Sequence, residues 1–562
     1  MKWLHGSTSS GSLKFDSWDS TIGQRGNAHR EPWSFSSPKG VCGALFALAF
    51  GFAPIQSMAA DLGRGGIDGY TAPPQVPGFP LESPRQGYVR SSGSNAAARP
   101  QAPSCNPPVF GAQAGDPAAK PPSLGYYLSP SISVGEFYSD NINLAPDSAR
   151  RSDSATILTP SLKGCTAGSR LRAQFDYSAQ AIHYARETPK DKYYNRFNGT
   201  LNSALYPDHL YFDASGSYGQ TVINPGQPYS GNDVFITRNR TNTWNYQLSP
   251  YWRQGLGRVG LAVLRYDYGR TGYSDSSLSG SRSFSAAFDL TNPPDSLAWS
   301  WHLHWKTSRV KYDQGGDVQH FDNAYLSLGY LLFPNLQLLA KGGLETEYQP
   351  DGTVKRYGSH YGSAGFKYAN GFASLAVTYG WQYFGHVWSI DASYRLPRLL
   401  FGASYAETTT STSLQAAQTT QSGAIVPLNQ PQIINAYISK RASGSMTYLM
   451  PRSRLVFTAY DERRYYRPSS IGHDRTTGGS VDWKWRYNTL TAVNASFSRE
   501  RLTTVQTPDS PDFINQASLG ITRMLLPNLE LSLNLLRQSR SSHIEANTYT
   551  ANSAAIQLTA HF

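Results

Sequence analysis

The chain has 562 residues, 39% of them hydrophobic and 16% charged, with a mean hydropathy of −0.44 and a formal net charge of +12. It has no apolar run of about eighteen residues, which excludes an ordinary membrane-spanning helix, and it lacks the long amphipathic windows of an α/β enzyme. What remains is a Gly-rich, aromatic chain with 50 Gly, 36 Tyr and 12 Trp, the composition of a barrel in which only every second residue meets lipid.

Residues 1–59 read as an export leader. Pro38-Lys39-Gly40 supplies a positive flank, residues 41–53 a short apolar run, and Ser57-Met58-Ala59 a small-residue cleavage site. The forty residues ahead of the run fit either an extended leader or a misassigned start. Residues 60–123 follow with Pro73-Pro74, Pro107-Pro108 and Pro121-Pro122 among Ser, Gly and Ala. Such a stretch cannot bury a core and is expected to be a disordered periplasmic segment. It is too short and too Pro-rich for a globular plug. Cys42 would leave with the leader, so Cys105 and Cys165 remain. A disulfide between them and two free thiols both fit an oxidising compartment. If paired, they tether the segment beneath the barrel, because Cys165 is expected in the first periplasmic turn, Gly164 to Gly168.

Residues 124–562 carry the strand signal. Leu297, Trp299, Trp301, Leu303 and Trp305 alternate with Ala298, Ser300, His302, His304 and Lys306. That is period two, with one lipid-ready face and one polar face. Leu171 to Tyr177, Trp388 to Arg395 and Val481 to Tyr487 repeat the scheme. Leu332-Phe333-Pro334-Asn335-Leu336 is nearly duplicated by Leu525-Leu526-Pro527-Asn528-Leu529, with looser versions at Pro207-Asp208, Pro397-Arg398 and Pro451-Arg452. Proline presets φ and Asn or Asp tolerates turn geometry, so each predicts a tight turn. Longer polar loops are expected at 223–237, 412–431 and 503–511. The fold class is therefore all-β: a transmembrane antiparallel barrel of about 22 strands, within a range of roughly 20–24, short turns periplasmic and long loops outside. Stretch 371–411 admits more than one division. Phe562, on one face with Ala554, Ile556, Leu558 and Ala560, reads as the signal recognised by the barrel assembly machinery.

No catalytic constellation emerges, and a non-enzyme without cofactor is expected. His302 and His304 share a polar face but have no third ligand in view, so no metal is assigned and the pair reads as solvated. Gly472-His473-Asp474 would fall in an external loop, where a His–Asp dyad and a plain turn are the competing readings. By strand phase, Arg170, Arg172, Lys306, Lys341, Arg395, Lys484 and Arg486 point into the lumen, as do Asp176, Glu345, Glu347, Asp391 and Asp482. Such charge either guides anionic solutes or pairs across strands and keeps the interior wet. Arg150, Arg151, Arg463, Arg464 and Arg467 are placed outside, within reach of lipopolysaccharide phosphates. A 22-strand barrel is roughly 45 Å wide, so something must narrow it: a folded-in loop such as 412–431, the Pro-rich segment or a periplasmic partner.

The opening strand ending Tyr138-Ser139-Asp140-Asn141-Ile142-Asn143-Leu144, then Thr159-Pro160-Ser161, resembles the PEP-CTERM-system-associated outer-membrane protein family. The repeated Pro-Asn turns and Tyr405-Ala406-Glu407-Thr408-Thr409-Thr410 fit the same family. The resemblance spans residues 120–562 but is structural and brings no functional residues. It implies a barrel of a Gram-negative outer membrane, found near exosortase and polysaccharide-export genes. Two expectations follow: a channel for an anionic exopolysaccharide working with periplasmic export proteins, or a structural or surface-interaction barrel without transport. A general porin and an outer-membrane hydrolase using His473 and Asp474 are further readings. Nucleic acid is not an expected partner.

Overall fold

In the computed structural model the described residues are 125–562 apart from 188–189, 294–297, 315–317, 351–353, 413, 415–432, 434 and 468. The expected leader, the Pro-rich segment and Cys105 lie outside them, as do Leu297 and most of loop 412–431.

Twenty-two strands form one sheet. The first eight are β1 (Gly125–Ser139), β2 (Asp153–Ala167), β3 (Leu171–Tyr184), β4 (Lys192–Tyr206), β5 (Leu210–Val222), β6 (Arg240–Gly255), β7 (Leu261–Tyr273) and β8 (Ser281–Thr291). The next seven are β9 (Trp299–Tyr312), β10 (Val318–Phe333), β11 (Leu336–Pro350), β12 (Val354–Ala369), β13 (Ala373–Gln382), β14 (Gly385–Arg395) and β15 (Leu399–Ser411). The last seven are β16 (Ala436–Leu449), β17 (Ser453–Tyr466), β18 (His473–Arg486), β19 (Thr491–Thr503), β20 (Asp512–Leu526), β21 (Leu529–Ser541) and β22 (Tyr549–His561). Each pairs antiparallel with its sequence neighbour, and β22 returns to β1, with Ser131 opposite His561 and Ser139 opposite Ser553. Closure removes both sheet edges, so no strand is left to template aggregation. The count is the one the alternation predicts, and stretch 371–411 resolves into β13, β14 and β15.

The predicted turns all fall on one rim. Pro334-Asn335 joins β10 to β11 and Pro527-Asn528 joins β20 to β21, each beside a register shift at the matching place, between Leu331 and Phe333 and between Met524 and Leu526. Asp208 takes a left-handed φ of 66° between β4 and β5, a conformation Asp tolerates better than most residues. The opposite rim carries the long connections, including 140–152, 223–239 and 504–511.

The outer face is apolar. Leu128, Leu303, Leu344, Leu533 and Ile556 are exposed along it. Aromatics bound the belt: Tyr206, Trp252, Trp299, Phe333 and Tyr487 at the short-turn end, Tyr138, Tyr193 and Tyr465 at the other. The tyrosines and tryptophans among them, with one apolar and one polar end, suit a lipid–water boundary. Two large rings lie flat over cross-strand glycines. A Cβ on Gly272 would stand 2.3 Å from the Trp244 ring, and one on Gly362 would stand 2.7 Å from Trp381. Glycine is therefore required at both positions for the rings to lie down.

Candidate functional site: the barrel lumen

Residues directly opposite across an antiparallel pair share a face, so the register fixes what lines the interior. Lys163 stands opposite Asp176, their charged groups 3.2 Å apart. Arg172, Lys306, Lys341, Arg395, Lys484 and Arg486 each occupy the face opposite the apolar belt, as do Glu345, Glu347, Asp391 and Asp482. Arg170 does not sit on a strand: it lies in turn 168–170, exposed, where no pleat sets its direction. At the short-turn mouth Arg172, Arg253, Arg395, Arg454, Lys484 and Arg486 all fall within two residues of a strand end on the inner face. Arg454 and Lys484 are direct cross-strand partners. Asp289 and Glu530 are the carboxylates similarly placed, so this mouth is a basic collar.

At the other end the lumen is obstructed by loop 223–239; of the expected candidates, loop 412–431 lies mostly, and the Pro-rich segment wholly, outside the described residues. Asn224 and Asn239 lock its base: the Asn224 amide donates to Asn239 Oδ1 at 2.8 Å, and Asn239 Nδ2 donates to the Asn224 carbonyl at 2.7 Å. The loop then reaches the inner faces of strands far round the barrel. Arg540 of β21 donates to the carbonyls of Pro225 (2.9 Å) and Gln227 (2.6 Å) while its guanidinium pairs with Asp512 of β20. Gln538 and Tyr549 both donate to the Tyr229 carbonyl, at 2.8 and 2.7 Å. Asp233 pairs with Arg196 and Arg240. Beyond it, Val234 and Phe235 are buried against Phe137, Ile142, Leu144, Ile182, Tyr184 and Tyr549. Phe235 meets Phe137 edge to face at 5.6 Å, and Tyr184 donates to the Val234 carbonyl at 2.7 Å. Burying one such ring is worth about 2–3 kcal/mol. The apolar triplet Val234-Phe235-Ile236 inside an otherwise polar loop is the sequence signal for this docking.

Lower on the wall, β8 and β9 bring together three side chains. Asp289 stands opposite His304, and His302 is two residues before it on the same face. Nε2 of His302 and Nδ1 of His304 each lie 2.7 Å from Asp289 Oδ1. The Tyr325 ring of β10 packs on both imidazoles, at 5.6 and 4.8 Å, and Lys341 Nζ lies 4.0 Å from the centroid of that ring. The third potential donor beside the two imidazoles is Asp289. Strand register, not spacing along the chain, brings it there.

Other expectations are corrected. Arg464 is not external: it is buried on the inner face of β17, bonded to Glu462 at 2.8 Å and set 5.1 Å from the Tyr437 ring. The reason is parity, since Arg464 alternates with the outward Arg463 and Tyr465. His473 and Asp474 form no dyad, because consecutive strand residues face opposite ways. His473 is exposed against Tyr465, whereas Asp474 is buried and accepts from Tyr466 Oη (2.5 Å) and the Val505 amide (2.7 Å). Cys165 lies inside β2 rather than in the turn, because that strand runs on to Ala167; it faces inward, is buried and is disulfide-bonded. The chain's other cysteines, Cys42 and Cys105, lie outside the described residues. Arg150 and Arg151 are held by Asp147 and Glu187. Phe562 follows β22, exposed, its amide donating to the Pro130 carbonyl at 3.0 Å.

On the outer face, just above the belt, Arg270 of β7, Arg282 of β8 and Lys311 of β9 are successive cross-strand partners in one row. Like charges so aligned repel one another. Asp313 offsets part of this, binding Arg270 through both oxygens at 2.8 and 2.9 Å.

No protein-family model and no curated protein sequence matches the chain. Among solved structures it is similar to the siderophore receptor PirA of Pseudomonas aeruginosa, at 10% identity over 79% of this chain and 81% of that one, TM-score 0.42. It is also similar to the FrpB iron transporter of Neisseria meningitidis, at 8% identity over 77% and 82%, TM-score 0.48. A variant of the ferric enterobactin receptor PfeA of Pseudomonas aeruginosa, in complex with enterobactin, aligns at 12% identity over 77% and 81%, TM-score 0.44. The architecture of the present chain rests on its own strand pairing.

Proposed function

We propose that the protein is a channel of a Gram-negative outer membrane, narrowed by loop 223–239, that passes an anionic polymer from the short-turn side. The observation that carries the reading is the inner face itself: a closed wall, apolar outside, whose short-turn mouth is ringed by Arg172, Arg253, Arg395, Arg454, Lys484 and Arg486. A collar of one sign inside low-dielectric walls concentrates the opposite charge at the entrance. An exopolysaccharide bearing carboxylates, handed over by periplasmic export proteins, fits that chemistry, in keeping with the PEP-CTERM-associated resemblance. The outward row Arg270, Arg282 and Lys311 supports placing the long-loop rim at the outer leaflet, where lipopolysaccharide phosphates would relieve the repulsion.

Planar-bilayer recording under a salt gradient tests the proposal. The expected result is a conducting pore with a reversal potential favouring anions, shifted toward cations by Lys484→Glu with Arg486→Glu. Absence of conductance, with and without loop 223–239, would overturn it. That outcome would favour the second reading, a surface-interaction barrel, which the extensive docking of the loop also supports.

A further inference from the structure

We propose that Asp289, His302 and His304 form a binding site for a divalent first-row transition metal ion, zinc(II) foremost, on the lumen wall. The three ligand atoms lie within 4.8 Å of one another. Two imidazoles and one carboxylate, with no thiolate, are borderline donors suited to zinc, cobalt, nickel or iron(II) rather than to calcium or magnesium. Ligation at about 2.0–2.2 Å in a tetrahedral arrangement sets donor atoms roughly 3.3 Å apart. The two nitrogen–oxygen contacts of 2.7 Å therefore need to open by only a fraction of an ångström.

The scaffold holds the donors in that reach. His302 and His304 are two apart on one strand, so the pleat aims both rings the same way. Asp289 is fixed opposite His304 by an unbroken ladder between Ser281–Thr291 and His302–Tyr312. The Tyr325 ring limits rotation of both imidazoles. His302 is nearly buried, its side chain 9% exposed, while Asp289 keeps 26%, so the open side of the cluster is the lumen. Nδ1 of His302 is buried without a hydrogen-bond partner, and on ligation through Nε2 it is the nitrogen that carries the ring proton. A three-residue ligand set leaves a further coordination position, open to water or to an anionic group of a solute.

The test uses the full-length folded barrel in detergent, freed of metal by chelation and of any polyhistidine tag. Calorimetric titration with zinc(II) is expected to show one ion per chain, with affinity falling roughly a hundredfold or more in Asp289→Asn and in His304→Ala. His543→Ala, at an exposed loop position, should leave it unchanged. Equal affinity in all of these proteins, or no saturable binding, would overturn the site. Cobalt(II) spectra of the unaltered protein give a readout that needs no variant. Strong visible bands of four- or five-coordinate cobalt are expected, and only the weak bands of the hydrated ion would overturn the proposal. Neither readout depends on transport.

Discussion

The two ends of the lumen are built by the same alternation and end up as different materials. At the short-turn end the inward pair Lys163 and Asp176 stays wet, keeping about half its side-chain surface, at 53% and 50%. At the long-loop end, Arg464 and Arg540 are 1% exposed and Tyr184 and Tyr549 are 0% and 1%. Every one of these residues sits at an inward position of a strand. What differs is whether loop 223–239 or a neighbouring inward side chain lies over it. A polar barrel wall becomes a protein core when a segment covers it, and its charges must then be paired to stay charged.

That contrast is open to direct attack. The largest expected effect comes from replacing residues 225–238 by a Gly-Ser turn, which spares the Asn224–Asn239 base. Single-channel conductance should rise several-fold; unchanged conductance would mean the docked loop does not narrow the pore. Next is Arg540→Met, which leaves Asp512 buried without its ion pair and removes the donor to the Pro225 and Gln227 carbonyls. Taking away one partner of a buried pair costs about 3–5 kcal/mol. The signature would be a lower thermal unfolding midpoint and faster proteolysis within 223–239. The smallest effect belongs to the wet end. Lys163→Met breaks an exposed ion pair and should change stability by no more than about 1 kcal/mol. A loss as large as that of Arg540→Met would erase the distinction between the two ends.

Much of the barrel was legible because its rules are local. Period two assigns faces, and Pro-Asn or Pro-Asp marks the rim where strands reverse, as at Pro334-Asn335, Pro527-Asn528 and Pro207-Asp208. Arg464 shows where local reading slips. Counted as part of an external cluster it looked like a surface cation, although its parity with Tyr460 and Glu462 already placed it inside. His473 and Asp474 failed for the same reason, since adjacent strand residues cannot share a site.

The sequence by itself determined the class of fold, the strand number to within about two, the apolar face and the rim that carries short turns, because each follows from side-chain alternation and backbone geometry along one stretch of chain. The tertiary structure alone decided that loop 223–239 folds inward, and that Asp289 stands beside His302 and His304. Those contacts join residues whose separation along the chain carries no information. Cross-strand register and the space left inside a closed wall set them.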